Sequence, residues 1–191
     1  MLKKAENKER LKEIKALYET SFPKSEKKPF AYMVKKQKEG FFDILAIEGE
    51  DGSFRGLAVM MLSGGLALLD YLAIDPRYQG LGMGSAVLAE LREKYGRENI
   101  VVEIESTLSA SLAGTDAEEM KKRLRRKAFY LRNGMMPTGY LVDLFGVEME
   151  VLTFGRELPY EAYYGIYAGI LPARLLKKIK PAGKAGGGIP R

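Results

Sequence analysis

The chain has 191 residues, of which 46% are hydrophobic, and this suffices for one well-packed domain but is short for two. It contains neither cysteine nor histidine, which excludes disulfides, thiolate metal sites, a cysteine nucleophile and the usual general base. Any catalysis must therefore use carboxylates, tyrosines, lysines, hydroxyl groups or backbone dipoles, and we expect no metal.

The charge distribution bears on whether the chain binds nucleic acid or enters a membrane. The formal net charge is +6, and much of the excess lies in Lys121–Lys127 and from Arg174 onward. These runs lack interleaved aromatic side chains, so they favour a solvated helix face and a loose tail over a nucleic-acid surface. No stretch reaches the ~18 uncharged apolar residues that a membrane helix needs, and no apolar segment follows the N-terminal charges. We expect a cytoplasmic protein that neither enters a membrane nor favours nucleic acid as a partner.

Periodicity along the first half predicts two helices followed by three antiparallel strands. Apolar residues recur at helical spacing between about Lys3 and Thr20, and a second short helix is expected over Phe30–Lys38. Glycine-bearing turns at residues 49–52 and 63–65 separate three apolar runs that we expect to pair as neighbouring strands. These runs are Phe41–Gly49, Leu57–Leu62 and Leu66–Ile74.

The second half predicts a crossover unit, a further helix and a closing hairpin. A helix over Met83–Tyr95 and a strand over Ile100–Glu105 would give a strand, helix, strand unit with parallel strands. A helix capped by Thr115 or Asp116 should then run to Arg132. The remaining expectations are a hairpin of Gly139–Leu144 and Val147–Phe154, a tyrosine-rich helix from Pro159, and a linker-like tail from Pro181.

A glycine-bearing turn between the third strand and its following helix is the most informative local pattern. Gln79, Gly80, Gly82 and Gly84 lie where unpaired amides and the positive end of a helix dipole converge, which suits a phosphate group. The Walker pattern fails because no Gly-Lys-Ser/Thr follows, and the dinucleotide fingerprint lacks its third glycine. From spacing alone, a tight turn without any ligand remains equally open.

Two motifs resemble the GCN5-related N-acetyltransferase (GNAT) family. The run Gln79-x-x-Gly82-x-Gly84, after Tyr-Leu-Ala-Ile-Asp-Pro, is similar to the family's acyl-CoA pyrophosphate loop: Gln or Arg, two residues, Gly, one residue, Gly or Ala. Ala128–Met135 resembles the family's helix ending Ala-x-x-x-Tyr-x-x-x-Gly-Phe, with a shorter spacing after the alanine and Met135 for Phe. The resemblance covers about residues 11–154. We assign residues 1–155 to a GNAT-like domain and 156–191 to a C-terminal helical extension with a basic Gly/Pro tail.

The resemblance implies a fold and a cosubstrate. The implied fold is a single-domain α/β fold whose mixed, mostly antiparallel sheet has about six to seven strands, splays between strands 4 and 5 and is flanked by helices. The implied cosubstrate is acetyl-CoA, bound by fourth-strand backbone amides and by the loop. The implied cofactor-binding residues are Leu72, Ala73, Ile74, Gln79, Gly80, Leu81, Gly82, Met83, Gly84 and Ser85.

Carboxylates supply the candidates for a general base. Alternation along Ile100–Glu105 places Glu103 and Glu105 on one face of the strand, where partial burial would raise their affinity for a proton. The family often keeps an acid at the position of Glu103. Both side chains could instead face solvent or pair with basic residues of the next helix. Asp70 is a third candidate, although the strand-four acid of some relatives aligns better with Leu68.

Tyrosines supply the candidate acid and a candidate pocket. Tyr130 matches the family tyrosine that stands near the cofactor sulfur and can protonate the leaving thiolate, although packing alone would also explain it. Four further tyrosines at helical intervals could line an acceptor pocket, form a homodimer contact or belong to the core. They are Tyr160, Tyr163, Tyr164 and Tyr167.

The resulting hypothesis is an acetyl-CoA-dependent N-acyltransferase. It would pass the acetyl group directly to a primary amine of a small molecule or peptide, with catalytic residues Tyr130, Glu103 and Glu105. The alternative is a non-catalytic acyl-CoA-binding regulatory module that uses the same loop without chemistry.

Overall fold

A computed structural model describes residues 1–108 and 116–184 of the chain. The described part contains eight strands and six α-helices. In chain order these are β1 (Leu2–Lys4), α1 (Lys8–Ser21), α2 (Phe30–Lys38), β2 (Phe42–Glu48), β3 (Phe54–Ser63), β4 (Leu66–Ile74), α3 (Met83–Tyr95), β5 (Ile100–Glu105), α4 (Ala117–Arg132), β6 (Met136–Leu144), β7 (Val147–Thr153), α5 (Tyr160–Ala168), α6 (Ala173–Leu176) and β8 (Ile179–Lys184). The predicted α/β class is confirmed, with eight strands rather than six to seven.

The chain divides into two compact units, Met1–Ile100 and one that begins at Val101. In the first unit β1, β2, β3 and β4 pair in that order, and every ladder is antiparallel. Its core is aliphatic and aromatic, since Ile14 and Tyr18 of α1 and Met33 of α2 are fully buried. Burial of such a side chain contributes roughly 1.5–3 kcal/mol, so these helices are fixed mainly by packing.

The predicted start of the first helix was wrong by about five residues. Helix α1 begins at Lys8, not near Lys3, because the side chain of Asn7 caps it by accepting a hydrogen bond from the Arg10 amide at 2.7 Å. Leu2–Lys4 instead forms β1 and pairs with β2 through partners such as Leu2 and Ile47. A three-residue strand with two exposed lysines carries no alternating pattern of its own, so pairing decides its conformation.

The pairing of β4 with β3 contains one shift of register. Val59 of β3 is opposite Tyr71, whereas the next residue, Met60, is opposite Leu69. Asp70 is therefore the extra residue of a β-bulge, a feature that bends a strand and redirects its side chains. Beyond the bulge, regular pairing continues to Ile74.

In the second unit the ladders run in the order β5, β7, β6, β8, and all of them are antiparallel. The predicted hairpin is confirmed: Phe145 and Gly146 link β6 to β7 and both have positive φ, 57° and 92°, as a two-residue turn of type I′ requires. Residues 181–184, expected at the start of a tail, belong to β8, where Pro181 is opposite Val142. A proline is tolerated there because β8 pairs only with β6 in this unit.

Some expectations cannot be compared with the structure. The proposed cap Thr115 and the tail residues 185–191 lie outside the described residues, while Asp116 occupies the position before α4 without a side-chain cap bond. The parallel step and the splay between strands 4 and 5 stay predictions. Among the described residues, none of the helices has the length and apolar composition that a membrane crossing needs.

Candidate functional site

The glycine turn lies between β4 and α3 in the first unit. After Ile74 a short 3₁₀ turn, Pro76–Tyr78, is capped by Asp75, whose carboxylate accepts from the Arg77 amide at 3.0 Å. Gly80 and Gly82 have φ of 80° and 75°, and a Cβ added at either glycine would meet no atom within 4 Å. Glycine is therefore required here by backbone conformation, and the space that its missing side chain leaves is open.

Five successive amides of this turn have no hydrogen-bond acceptor in the part of the chain that the structure describes. Among the residues that the structure describes, the N–H groups of Gly80, Leu81, Gly82, Met83 and Gly84 make no hydrogen bond, whereas the chain on either side is paired. The Gln79 amide donates to Pro76 at 3.4 Å and the Ser85 amide donates to Gly82 at 3.0 Å. The first turn of any helix leaves amides unpaired, but here the row begins three residues before α3. The turn thus presents a row of donors at the positive end of a helix dipole.

The remaining side chains of the turn stabilise it. The Gln79 side-chain amide donates to the Ile74 carbonyl at 2.9 Å and closes the loop back onto the end of β4. Arg77 is paired with Asp75 at 2.8 Å, and its guanidinium holds the pKa of that carboxyl at about 2. Leu81 is 73% exposed, so its side chain contributes nothing to the core.

The fourth-strand residues named from the resemblance are half-buried. Leu72, Ala73 and Ile74 pair with β3 opposite Ala58, Leu57 and Gly56, respectively. Pairing on one side of a strand leaves alternate amides directed to its other side. Their predicted contact with a cosubstrate stays a prediction.

Glu103 of β5 lies against the tyrosines of α5. The Tyr163 hydroxyl donates to its Oε1 at 2.5 Å, and the Tyr167 hydroxyl lies 2.7 Å from Oε1 and 2.8 Å from Oε2. Both tyrosines are buried, at 0% and 1% exposure, while Glu103 is half-buried. Burial and then the Glu103 charge raise the pKa of Tyr163 well above its ordinary value, so its hydroxyl stays protonated and donates to the carboxylate.

Glu105, two residues further along β5, has different partners. Its carboxylate accepts from Arg123 of α4 at 2.9 Å and from Arg126 at 3.3 Å. This is the pairing with the next helix that the sequence left open. Two guanidinium groups already occupy this carboxylate, so Glu105 has the geometry of a helix anchor more than that of a base.

Tyr130 is buried in the last turn of α4, with 7% exposure. In the described part of the chain its hydroxyl makes no hydrogen bond, and its ring packs edge-on against Phe129 at 5.1 Å. Burial raises its pKa to about 12, opposed only by the nearby Arg126 charge. The phenol is therefore protonated at neutral pH.

Asp70, the third acid considered from the sequence, forms an ion pair. Its carboxylate accepts from Lys28 at 2.7 and 3.0 Å, and its side chain is only 7% exposed. The segment that joins α1 to α2 is held at the same place, because the Tyr71 hydroxyl donates to the Glu26 carbonyl and accepts from the Lys28 amide. The pair makes Asp70 a structural clamp on this segment.

The structure brings Glu103 together with two tyrosines that the sequence did not connect to it. The sequence predicted that Tyr163 and Tyr167 line an acceptor pocket, form a homodimer contact or belong to the core. Their four-residue spacing does place both on one helix face. Their partner is 60 or more positions away in sequence, so no local signal could identify it. No group of three or more acidic residues that could hold a metal occurs in residues 1–108 and 116–184.

Comparison with solved structures relates this fold to known enzymes. A protein from Bacteroides thetaiotaomicron, described as a GNAT-family acetyltransferase, has a TM-score of 0.68 at 19% identity, over 88% of this chain and 94% of that chain. An aminoglycoside 6′-N-acetyltransferase solved with coenzyme A has a TM-score of 0.61 at 14% identity, over 83% and 98%. Spermidine N-acetyltransferase from Vibrio cholerae, solved with CoA and spermine, has a TM-score of 0.59 at 14% identity, over 80% and 92%.

No protein-family model matches the sequence, and no curated protein matches it either. The structural likeness nevertheless extends over most of this chain and nearly the whole of each neighbour. The chain therefore has the fold of the GCN5-related N-acetyltransferases, as its two motifs predicted.

Proposed function

We propose that this protein is an acetyl-CoA-dependent N-acetyltransferase of the GNAT family that acetylates a primary amine. The observation that carries the proposal is the row of five amides, from Gly80 to Gly84, without an acceptor in the described residues. Such a row at a helix N-terminus suits a diphosphate, and neighbours of the same fold were solved with coenzyme A. The sequence motif places the family's phosphate-binding residues on the same positions.

The turn fits a diphosphate in shape as well as in charge. Because a Cβ at Gly80 or Gly82 would enter open space, the glycines leave the amides accessible to a ligand rather than covered by side chains. Gln79 fixes the turn through its bond to Ile74 and so keeps the donors in place before a ligand arrives. Residues 79–85 and the end of β4, Leu72 to Ile74, would hold the cosubstrate.

Bound acetyl-CoA would supply the acetyl group as a thioester. In the transfer, the amine nitrogen bonds to the carbonyl carbon, the carbon–sulfur bond breaks, the nitrogen loses a proton and the sulfur gains one. The chain has no cysteine to carry the acetyl group, and direct attack needs no such carrier. The protein's tasks are to orient the amine, accept its proton and stabilise the thiolate.

Glu103 is the carboxylate that we assign to the amine. It is half-buried and accepts hydrogen bonds from two phenols, and a carboxylate in this position can attract an ammonium group and take its proton directly or through water. Glu105 is assigned the anchoring role, because Arg123 and Arg126 already occupy it.

Tyr130 is assigned to the departing sulfur. Burial raises the pKa of Tyr130 to about 12, so complete transfer of its proton to a thiolate is unfavourable. The phenol therefore acts mainly as a hydrogen-bond donor that stabilises the thiolate while the proton arrives from the amine or solvent. A hydroxyl that makes no hydrogen bond within the described residues suits this role.

Calorimetry with coenzyme A and with pantetheine, which lacks the diphosphate, tests the binding step. We expect CoA to bind and pantetheine to bind at least 10-fold more weakly. An acetyl-CoA-dependent thiol-release assay over a panel of primary amines, including polyamines and aminoglycosides, tests the chemistry. Binding without turnover on any amine would support the non-catalytic module, and absence of CoA binding would refute both functions.

A further inference from the structure

We propose that the C-terminal helix α5 supplies two positioning residues, Tyr163 and Tyr167, which hold the Glu103 carboxylate in one orientation for the acceptor amine. The inference rests on the proposed function, since it assigns these tyrosines to the same reaction. It goes beyond that function because α5 lies outside residues 11–154, which contain both sequence motifs that resemble the family.

The geometry is that of a two-point clamp on one carboxylate. Tyr167 reaches both oxygens, at 2.7 and 2.8 Å, and Tyr163 reaches Oε1 at 2.5 Å. A donor that spans both oxygens, together with a second donor on one of them, fixes the rotation of the carboxyl group as well as its position. Simple packing of a glutamate side chain against a helix would not require two hydroxyl groups to meet at the same carboxylate.

The clamp is itself rigid. Tyr163 and Tyr167 contact each other edge-on at 5.7 Å, and the Tyr163 ring also contacts Tyr140 of β6 at 6.3 Å and Tyr160 at 6.1 Å. Such ring pairs add roughly 0.5–1.5 kcal/mol beyond their burial. The hydroxyl groups therefore have little freedom to leave the carboxylate.

Two phenols donate to Glu103, whereas guanidinium groups hold the neighbouring Glu105. Glu105 is held by two guanidinium groups, which cancel its charge locally. Phenols orient Glu103 without contributing a positive charge, and a carboxylate that accepts hydrogen bonds is stabilised in its charged form. The titratable groups that face Glu103 include Tyr163 and Tyr167 from α5, Tyr140 from β6 and Glu105 on its own strand.

The test compares Tyr163→Phe, Tyr167→Phe and the double variant with Tyr164→Phe. Tyr164 is on the same helix, is half-buried and contacts the Tyr160 ring, but its hydroxyl makes no hydrogen bond among the described residues. We expect the double variant to lose about 10- to 100-fold in kcat and to keep its affinity for CoA. We expect the acid limb of its pH–rate profile to move to higher pH, because the charged carboxylate has lost its donors. Tyr164→Phe should match the wild type.

A second measurement does not depend on activity. The ¹³C NMR signal of the Glu103 carboxyl carbon is followed as a function of pH in the wild type and in each single variant. The signal is assigned by its absence in Glu103→Gln. Single variants are used because each of them keeps at least one phenol donor. We expect the midpoint to rise in Tyr163→Phe and Tyr167→Phe and to stay constant in Tyr164→Phe.

The outcomes separate the two proposals. If the wild type acetylates an amine but kcat, the acid limb and the midpoint are unchanged in the variants, the positioning role is refuted and the enzyme assignment stands. If the wild type turns over no amine, the enzyme assignment fails, and an unmoved midpoint would then refute the clamp as well. A loss of kcat in Tyr164→Phe equal to that of the double variant would also refute the inference.

Discussion

Lys127 of α4 and Glu150 of β7 form an ion pair with an Nζ to Oε2 distance of 2.6 Å, and the Glu150 side chain is only 3% exposed. Thr107 adds two donors to the same carboxylate, from its amide at 2.9 Å and its hydroxyl at 2.7 Å. The pair fixes α4, the helix that carries Tyr130, to the sheet of the second unit.

Replacing Lys127 by methionine should destabilise the protein by roughly 3 kcal/mol, because it leaves a buried carboxylate without its cation. Chemical denaturation gives the free energy of unfolding. Lys122→Met, which removes an exposed lysine of the same helix that lies 3.6 Å from Glu119, should cost under about 0.5 kcal/mol. Equal costs for the two variants would contradict the assigned role of the Lys127 pair.

The Glu150 pair also predicts an acid-sensitive stability. Burial opposes ionisation of Glu150, but the hydrogen bonds from Lys127 and Thr107 outweigh it and lower the pKa of the carboxyl below 4.5. A lowered folded-state pKa gives stability that is fully present above the unfolded value and is lost as pH falls through the folded value. Denaturation at pH 6 and pH 3 should show this loss, and Glu150→Gln should reduce the difference between the two.

The turn that is proposed to hold the diphosphate can be tested with a pair of matched glycines. Gly82 and Gly65 have φ of 75° and 76°, and an added Cβ at either would meet no atom within 4 Å. Asparagine tolerates this backbone region, so Gly82→Asn and Gly65→Asn should lose similar, small amounts of stability. Only Gly82→Asn should weaken CoA binding, by about 10-fold or more, as measured by calorimetry. Equal CoA affinity in the two variants would remove the turn from the binding site.

Tyr130→Phe should lower kcat by about 100-fold with little change in CoA affinity, because it removes one donor that acts on the departing sulfur. Its hydroxyl has no hydrogen-bonding partner among the described residues, so the variant should fold with nearly unchanged stability. Steady-state kinetics, calorimetry and thermal denaturation measure the three quantities. An unchanged kcat would exclude Tyr130 from the chemistry.

The ion pair between Lys28 and Asp70 should contribute more to the free energy of unfolding than the pair between Lys27 and Glu19. Lys28→Met leaves a carboxylate with 7% side-chain exposure unpaired, and we expect a loss of about 2–3 kcal/mol. Lys27→Met breaks a pair with Glu19, whose side chain is 47% exposed, and should cost under about 1 kcal/mol. Adding Asp70→Asn to Lys28→Met should recover part of the loss. A double-mutant cycle that shows no coupling energy between Lys28 and Asp70 would contradict the role assigned to this ion pair.

The sequence predicted the elements that depend on local patterns. The Gly82 turn and the Phe145–Gly146 hairpin have strong residue preferences, and the helix over Met83–Tyr95 has a clear apolar face, with Val87, Leu88 and Leu91 buried. Alternation along β5 also holds, because Val102 and Ile104 are buried while Glu103 and Glu105 are half-buried. Local sequence carries these features because their stabilising contacts are local.

Features that depend on distant partners could not be predicted. β1 exists because Leu2–Lys4 pairs with β2, more than 40 positions away. The different surroundings of Glu103 and Glu105 come from α5 and α4, although the two residues have the same pattern on one strand. The bulge at Asp70 is a mismatch of register between two strands, which composition does not reveal.

The dependence of Glu103 on α5 limits how this protein can be shortened. A fragment that ends at Phe154 would retain every residue of both recognisable motifs, yet it would lack the phenols that orient the carboxylate. Under the proposed function, such a fragment should still bind coenzyme A but transfer the acetyl group poorly.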